Sequence, residues 1–171
     1  MEMPDLAPWA DARRRMARMQ RIGLISDTHG LLRPQALAAL RGCDRILHAG
    51  DICEAGILEQ LAVLAPVTAV RGNNDRGAWA APFAEREVVL VEQVRILVVH
   101  DVADLRREPP PRGVRVVVSG HSHKPAVHDE GGLLFVNPGS AGPRRFSLPI
   151  AVGELLVDGE SVRARTITLP P

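Results

Sequence analysis

The sequence predicts an α/β fold in which two mixed β-sheets pack face to face and are flanked by helices. Three observations predict it. The chain has 171 residues, 46% of them apolar, which suits one domain with a substantial core. Between residues 21 and 70, short apolar runs alternate with segments of helical period, as in a parallel sheet with crossover helices. From residue 87 onward, β-rich runs follow one another across Gly-containing turns, as antiparallel strands do.

Residues 1–19 lack a strand period, carry Pro4 and Pro8, and read as a poorly ordered N-terminal extension. The folded domain is expected over residues 20–171. Residues 21–26 form an apolar strand, and Asp27 begins the loop after it. Pro34 opens a helix to Leu40, because the first turn does not use the N–H that proline lacks. Residues 45–48 form the next strand, ending in Ala49-Gly50-Asp51. Residues 54–64 place Ile57, Leu58, Leu61 and Leu64 at helical spacing, and Pro66 stops that helix. Residues 67–70 form a strand that runs into Arg71-Gly72-Asn73.

In the second half, residues 87–91 and 95–99 read as strands joined tightly at Glu92-Gln93, with His100-Asp101 closing the second. Pro109, Pro110 and Pro111 limit any helix over residues 102–107 to a brief one. Residues 114–118 make a buried strand that leads to Ser119-Gly120-His121. Residues 126–128 and 133–136 flank Gly131-Gly132, and residues 151–157 and 161–167 flank Asp158-Gly159. Both are hairpin signals.

A net charge of +1 gives no strong field for non-specific nucleic-acid binding. Lys124 is the only lysine, and the arginine-rich, alanine-rich balance fits the base composition of a genome better than a phosphate-binding surface. The two cysteines, Cys43 and Cys53, stand in no zinc-type spacing, and with no secretory signal they indicate a cytoplasmic setting. No apolar stretch is long enough to span a bilayer, so no membrane association is expected. Oligomeric state is unreadable, and a homo-oligomer stays open.

Six segments end in metal-ligand types just after an apolar run: Asp27-Thr28-His29, Gly50-Asp51, Gly72-Asn73-Asn74-Asp75, His100, Gly120-His121-Ser122-His123, and Asn137-Pro138-Gly139. Each also has a bland reading. Asp27 suits a turn before Pro34, Asp51 suits a cap on the next helix, and Asn73 suits a turn beside Gly72. His121 and His123 read equally as loop histidines. Their recurrence at successive strand ends favours one shared spot, since α/β sheets collect ligands beyond the carboxyl ends of their strands. His48 reads as a core or supporting residue rather than a ligand, and His128 as exposed on a hairpin. Arg71, Arg76, Arg144 and Arg145 read as solvated residues within reach of a substrate phosphate. Asn137 to Ser140 shape the wall, and Trp79 and Phe83 either lid the site or face a partner.

The ordered series Asp-x-His, Gly-Asp, Gly-Asn-x-Asp, His, Gly-His-x-His resembles the calcineurin-like metallophosphoesterase superfamily over roughly residues 20–165. The short length, Gly-Asn-Asn-Asp and Asn137-Pro138-Gly139-Ser140 resemble its small bacterial and archaeal phosphodiesterase branch. The resemblance implies a four-layer sandwich and a site for two divalent metal ions, manganese first, with iron, zinc or nickel fitting the same ligands. It implies that Asp27, His29 and His123 bind one ion, that Asn73, His100 and His121 bind the other, and that Asp51 bridges them. A hydroxide between the ions would attack a small phosphodiester substrate. Catalytic work would fall on Asp51, Asn73 and Asp75, with Asp75 or a water standing in for a histidine that larger relatives carry where this chain has Asn74. Asp101 stands where relatives usually have glycine. The alternative is a catalytically weak or inactive scaffold or binding protein of the same fold, in which ligands are missing or altered; all seven are present here.

Overall fold

The computed structural model describes residues 19–170. The extension expected over residues 1–19 therefore lies, except for Met19, outside the described residues. The strands and helices run in the order β1 (Gln20–Ile25), α1 (Pro34–Leu40), β2 (Arg45–His48), α2 (Ala55–Ala62), β3 (Val67–Ala69), β4 (Arg86–Val91) and β5 (Val94–Val99). A 3-10 helix over Val102–Arg106 follows, then β6 (Val114–Val118), β7 (Ala126–Glu130), β8 (Leu133–Asn137), β9 (Ala151–Asp158) and β10 (Ser161–Thr168). Most boundaries fall within a residue or two of those predicted.

Two five-stranded sheets result, ordered β10-β9-β1-β2-β3 and β4-β5-β6-β8-β7. In the first, β1, β2 and β3 are parallel, as the alternation of strands and helices predicts. The terminal hairpin β9–β10 joins this sheet antiparallel to β1 rather than extending the second one. In the second sheet β5, β6 and β8 run parallel, with β4 and β7 antiparallel at the edges.

The layers follow from which faces are apolar. Central strands such as β1 and β6 are buried along most of their length, so they read as continuous apolar runs; edge strands such as β10 alternate. One core, including Ile22, Leu24, Leu47, Ile96, Val116 and Leu155, lies between the sheets. A second, including Ile25, Leu40, Ile46, Ile57 and Leu61, lies between the first sheet and its two helices. Trp79 packs against this second core and meets Phe83 edge-on, with 6.3 Å between ring centroids. This stretch is thus anchored to the helix side of the first sheet. On the outer face of the second sheet, Leu105 of the 3-10 helix packs against Leu97, Val99 and Val117, so that layer is a single turn thick. Within the described residues no helix is long and apolar enough to cross a membrane.

Candidate metal centre

Every predicted ligand lies just beyond the carboxyl end of a strand. Asp27 and His29 follow β1, Asp51 follows β2, and Asn73 follows β3. His100 follows β5, and His121 and His123 follow β6. The first sheet thus supplies four of these side chains and the second supplies three. The loops bend sharply to turn them together. Asp27, His29, Asp51, His121 and His123 all have φ between 44° and 65°, the left-handed region that non-glycine residues avoid. Such conformations persist where surrounding structure enforces them, and they concentrate at functional sites. Close approach also explains Gly50: a Cβ there would sit 2.8 Å from both Gly72 N and His100 Nδ1.

The side chains meet in two adjoining groups. Nε2 of His123 is 3.2 Å from Asp27 Oδ1 and 3.3 Å from His29 Nε2, and His29 Nε2 is 3.8 Å from the same Asp27 oxygen. On the other side, His100 Nε2 is 3.0 Å from Asn73 Oδ1, while His121 Nδ1 is 3.2 Å from Asn73 Oδ1 and 3.3 Å from His100 Nε2. Asp51 stands between the groups: its Oδ2 is 3.7 Å from His29 Nε2 and 3.4 Å from His100 Nε2. Ligand atoms of Asp27, Asp51 and His100 also lie within 4.8 Å of one another.

Supporting contacts aim these groups. The Nδ1–H of His100 donates to the Ala49 carbonyl at 2.7 Å, which leaves Nε2 as the free lone pair facing the centre. Asp27 Oδ2 accepts from the Ser26 hydroxyl at 2.7 Å and the His121 amide at 3.0 Å, while Oδ1 is buried with no hydrogen-bond donor. The Asn74 amide donates to Asp51 Oδ1 at 2.8 Å, and its side-chain nitrogen donates to Oδ2 at 2.7 Å. Burial pushes the Asp51 carboxyl up, but its bonds with His100 and Asn74 outweigh that and hold it well below the usual carboxylate range. Burial also opposes charge on His100, yet the bonds to Asp51 and to the Ala49 carbonyl raise its pKa. The Asp51 carboxylate is thus held ionised at the middle of the centre, where it attracts a cation.

This donor set fits divalent metal. Asp27 Oδ1, buried with no hydrogen-bond donor, is costly to leave unmet unless a cation reaches it. Imidazole nitrogens 3.3 Å apart, as in His29 and His123, repel through their lone pairs unless a cation or proton lies between them. Mixed carboxylate, imidazole and amide oxygen donors suit manganese, iron or zinc.

The other expected residues divide. Asp75 is buried, and its carboxylate is taken up by backbone: Oδ1 accepts from the Cys53 amide at 2.7 Å and Oδ2 from the Gly72 amide at 2.8 Å. Both oxygens are engaged in holding two loops together. His48 is fully buried, as a core residue should be. It accepts from the Gly50 amide at Nδ1 (3.2 Å) and contacts Thr28 Oγ1 through Nε2 (3.1 Å). Arg145 reaches the centre, with Nη2 3.4 Å from His29 Nε2. Arg71 pairs with Glu85 at 2.9 Å. Asn137 shapes the wall as expected, donating to the Gly120 carbonyl at 2.7 Å. His128 is exposed and stacks on Phe135.

Two contacts escaped the sequence reading. In the sequence Asn74 stands only as the place of a missing histidine, although it grips Asp51. Cys53 Sγ lies 3.7 Å from His29 Nδ1, and its only signal was its position two residues after Asp51. Beside Asn73, His100 and His121 opens a cavity of about 270 Å³, which Arg71, Glu85 and Asp101 also line.

Comparison with known proteins identifies the family and the fold. The model of the calcineurin-like phosphoesterase superfamily domain matches residues 20–160. A probable metallophosphoesterase of Methanothermobacter thermautotrophicus is 35% identical over 158 residues, covering 85% of this chain and 91% of that protein. A structure of Vacuolar Protein Sorting 29 from Cryptosporidium parvum shares the fold with a TM-score of 0.72 and 20% identity, covering 88% of this chain and 98% of the other. A structure described as a novel archaeal phosphodiesterase does so with a TM-score of 0.71 and 21% identity, covering 86% of this chain and all of the other, 100%. By its matched domain and its curated relative, the chain belongs to the calcineurin-like phosphoesterase superfamily.

Proposed function

We propose that the protein is a dinuclear metal-dependent phosphodiesterase that acts on small phosphodiesters, with manganese as the first choice of metal. The observation that carries this reading is the position of Asp51, whose Oδ2 stands 3.7 Å from His29 Nε2 and 3.4 Å from His100 Nε2. A carboxylate is the group suited to serve two cations, because its two anionic oxygens can be shared. In this reading Asp27, His29 and His123 would hold one ion, Asn73, His100 and His121 would hold the other, and Asp51 would serve both. Bound there, two such ions would supply an acidified water as nucleophile and charge neutralisation at the phosphoryl oxygens.

The chain's own residues account for the rest. The Asn74 amide and side chain fix the orientation of Asp51. Arg145 overhangs His29 and supplies a guanidinium at the mouth, where a phosphodiester anion enters. Asp75 works as a loop clamp, holding the Cys53 and Gly72 segments in place. With Asn74 bound to Asp51 and Asp75 bound to backbone, neither is free to protonate a leaving alkoxide. Activity should therefore favour activated leaving groups, and phosphodiesters over monoesters. The archaeal phosphodiesterase of the same fold makes that substrate class a natural first choice.

The test is hydrolysis of an activated aryl phosphodiester before chelation, after chelation, and after manganese is restored. Turnover should vanish and return. A folded, manganese-replete protein without turnover would remove the enzymatic reading. Bound metal below about one ion per chain after manganese soaking would favour the binding-protein alternative. Asp51→Asn should abolish turnover and weaken both ions. Asn74→Ala should cost about tenfold, the lower end for losing a partner outside the ligand set, since its backbone amide still holds Asp51. Equal losses in the two variants would remove the bridging role.

A further inference from the structure

Four histidines meet at this centre, and each must be held by something other than the cation it would bind. Buried packing fixes two of them, the side chains of His100 and His123 being 6% exposed. His100 also donates to the Ala49 carbonyl. His29, 13% exposed, has Cys53 Sγ on its far nitrogen. His121 is the exception at 47%, too open for packing to fix its ring. Its Nδ1 faces Asn73 and His100, so when Nδ1 gives its lone pair to the second cation the proton sits on Nε2, on the outer side of the ring.

Asp101 meets it there. Oδ2 of Asp101 lies 3.6 Å from His121 Nε2, within ion-pair reach though longer than a hydrogen bond. Its other oxygen is pinned, since Oδ1 accepts from the Ala103 amide at 2.9 Å and caps the 3-10 helix. The carboxylate is therefore aimed rather than free. We infer that Asp101 is a positioning residue for the second cation: it orients His121 through Nε2 and fixes the tautomer that offers Nδ1. Carboxylate–histidine–metal arrangements of this kind typically change metal affinity 10–100-fold. The inference rests on the dinuclear reading above.

Manganese titration by calorimetry tests it, together with thermal unfolding of the metal-free protein. Asp101→Asn keeps an oxygen for the Ala103 amide but loses the charge, while Asp101→Gly loses both. The expected result is that Asp101→Asn weakens one of two manganese ions by about 10–100-fold. The other ion should change less than about twofold, and the metal-free unfolding temperature should not move. Asp101→Gly should weaken the same ion and also lower that temperature. If Asp101→Asn binds both ions like the unaltered protein, the inference is overturned. It is equally overturned if Asp101→Asn weakens both ions alike or destabilises the metal-free protein as Asp101→Gly does, since Asp101 would then be a helix cap only. An unaltered protein that takes up fewer than two ions would bring down the dinuclear reading and this inference with it.

Discussion

His48 shows how a residue that touches no substrate still governs the centre. Its Nδ1 accepts the Gly50 amide, so in the neutral ring Nε2 carries the proton and donates to Thr28 Oγ1. That hydroxyl in turn donates to the Ile52 carbonyl at 3.3 Å. One ring thus ties the loop after β1 to the loop after β2, and it can do so only while neutral. Burial pushes its pKa down from 6.5 to about 4. The folded state therefore resists a proton that the unfolded chain accepts. Stability from this group is complete above pH 6.5 and is lost as pH falls toward 4, reaching about 3 kcal/mol across that window. Urea unfolding of metal-free protein at pH 7 and pH 5 should show a larger acid loss for the native chain than for His48→Gln, by about 2 kcal/mol. Identical losses would mean that this ring is not the group being titrated. The sequence separated His48 from the ligands because it falls inside a strand rather than after one. No such rule separates Asn74 from Asp75. Neighbouring polar residues in one turn have opposite fates because tertiary hydrogen bonds, not residue type, decide which faces the centre.

The elements that build the centre are loops, and their tightness is set by what a single methyl group would disturb. Gly120 is the second residue of the loop after β6. Its amide donates to the His100 carbonyl at 2.9 Å, and its own carbonyl accepts from Asn137 at 2.7 Å. A Cβ at this position would overlap the Ser26 hydroxyl and press on Asp27 Oδ2. Those are the atoms that orient the Asp27 carboxylate. Gly120→Ala should therefore destabilise the protein by about 1–3 kcal/mol, the usual cost of overpacking. It should also weaken manganese binding, because Asp27, His121 and His123 all shift together. Denaturant midpoints and manganese titration read the two effects, and native affinity in a destabilised variant would uncouple the loop from the centre. Strand ends were legible because apolar runs stop abruptly. The left-handed turns that follow were not, since Asp and His at φ of 44° to 65° violate local preference and are held there only by contacts across the fold.

At the scale of the molecule, the centre joins two sheets that otherwise meet through apolar side chains. The parallel half was legible because strand–helix–strand order dictates it. Which strands pair over long range was not. Local period cannot announce that β9 lies beside β1, or that β8 separates β6 from β7. Both pairings matter for function: β8 ends in Asn137, which holds the Gly120 loop, and the segment before β9 carries Arg145 over His29. Because Asp27, His29, Asp51 and Asn73 come from the first sheet and His100, His121 and His123 from the second, cations bound here would pin the sheets to each other. Binding to the folded state alone then stabilises the whole domain, by about 2.7 kcal/mol per ion at a free concentration 100 times its dissociation constant. For a domain of this size each ion should raise the unfolding temperature by roughly 5–10 °C, and chelation should reverse it. Hydrogen exchange sharpens the expectation. On manganese addition, amides of residues 27–30, 51–53 and 72–75 in the first sheet's loops should gain protection together with those of residues 100–101 and 120–123 in the second's. Protection confined to one sheet's loops would mean that the metal does not join the two sheets.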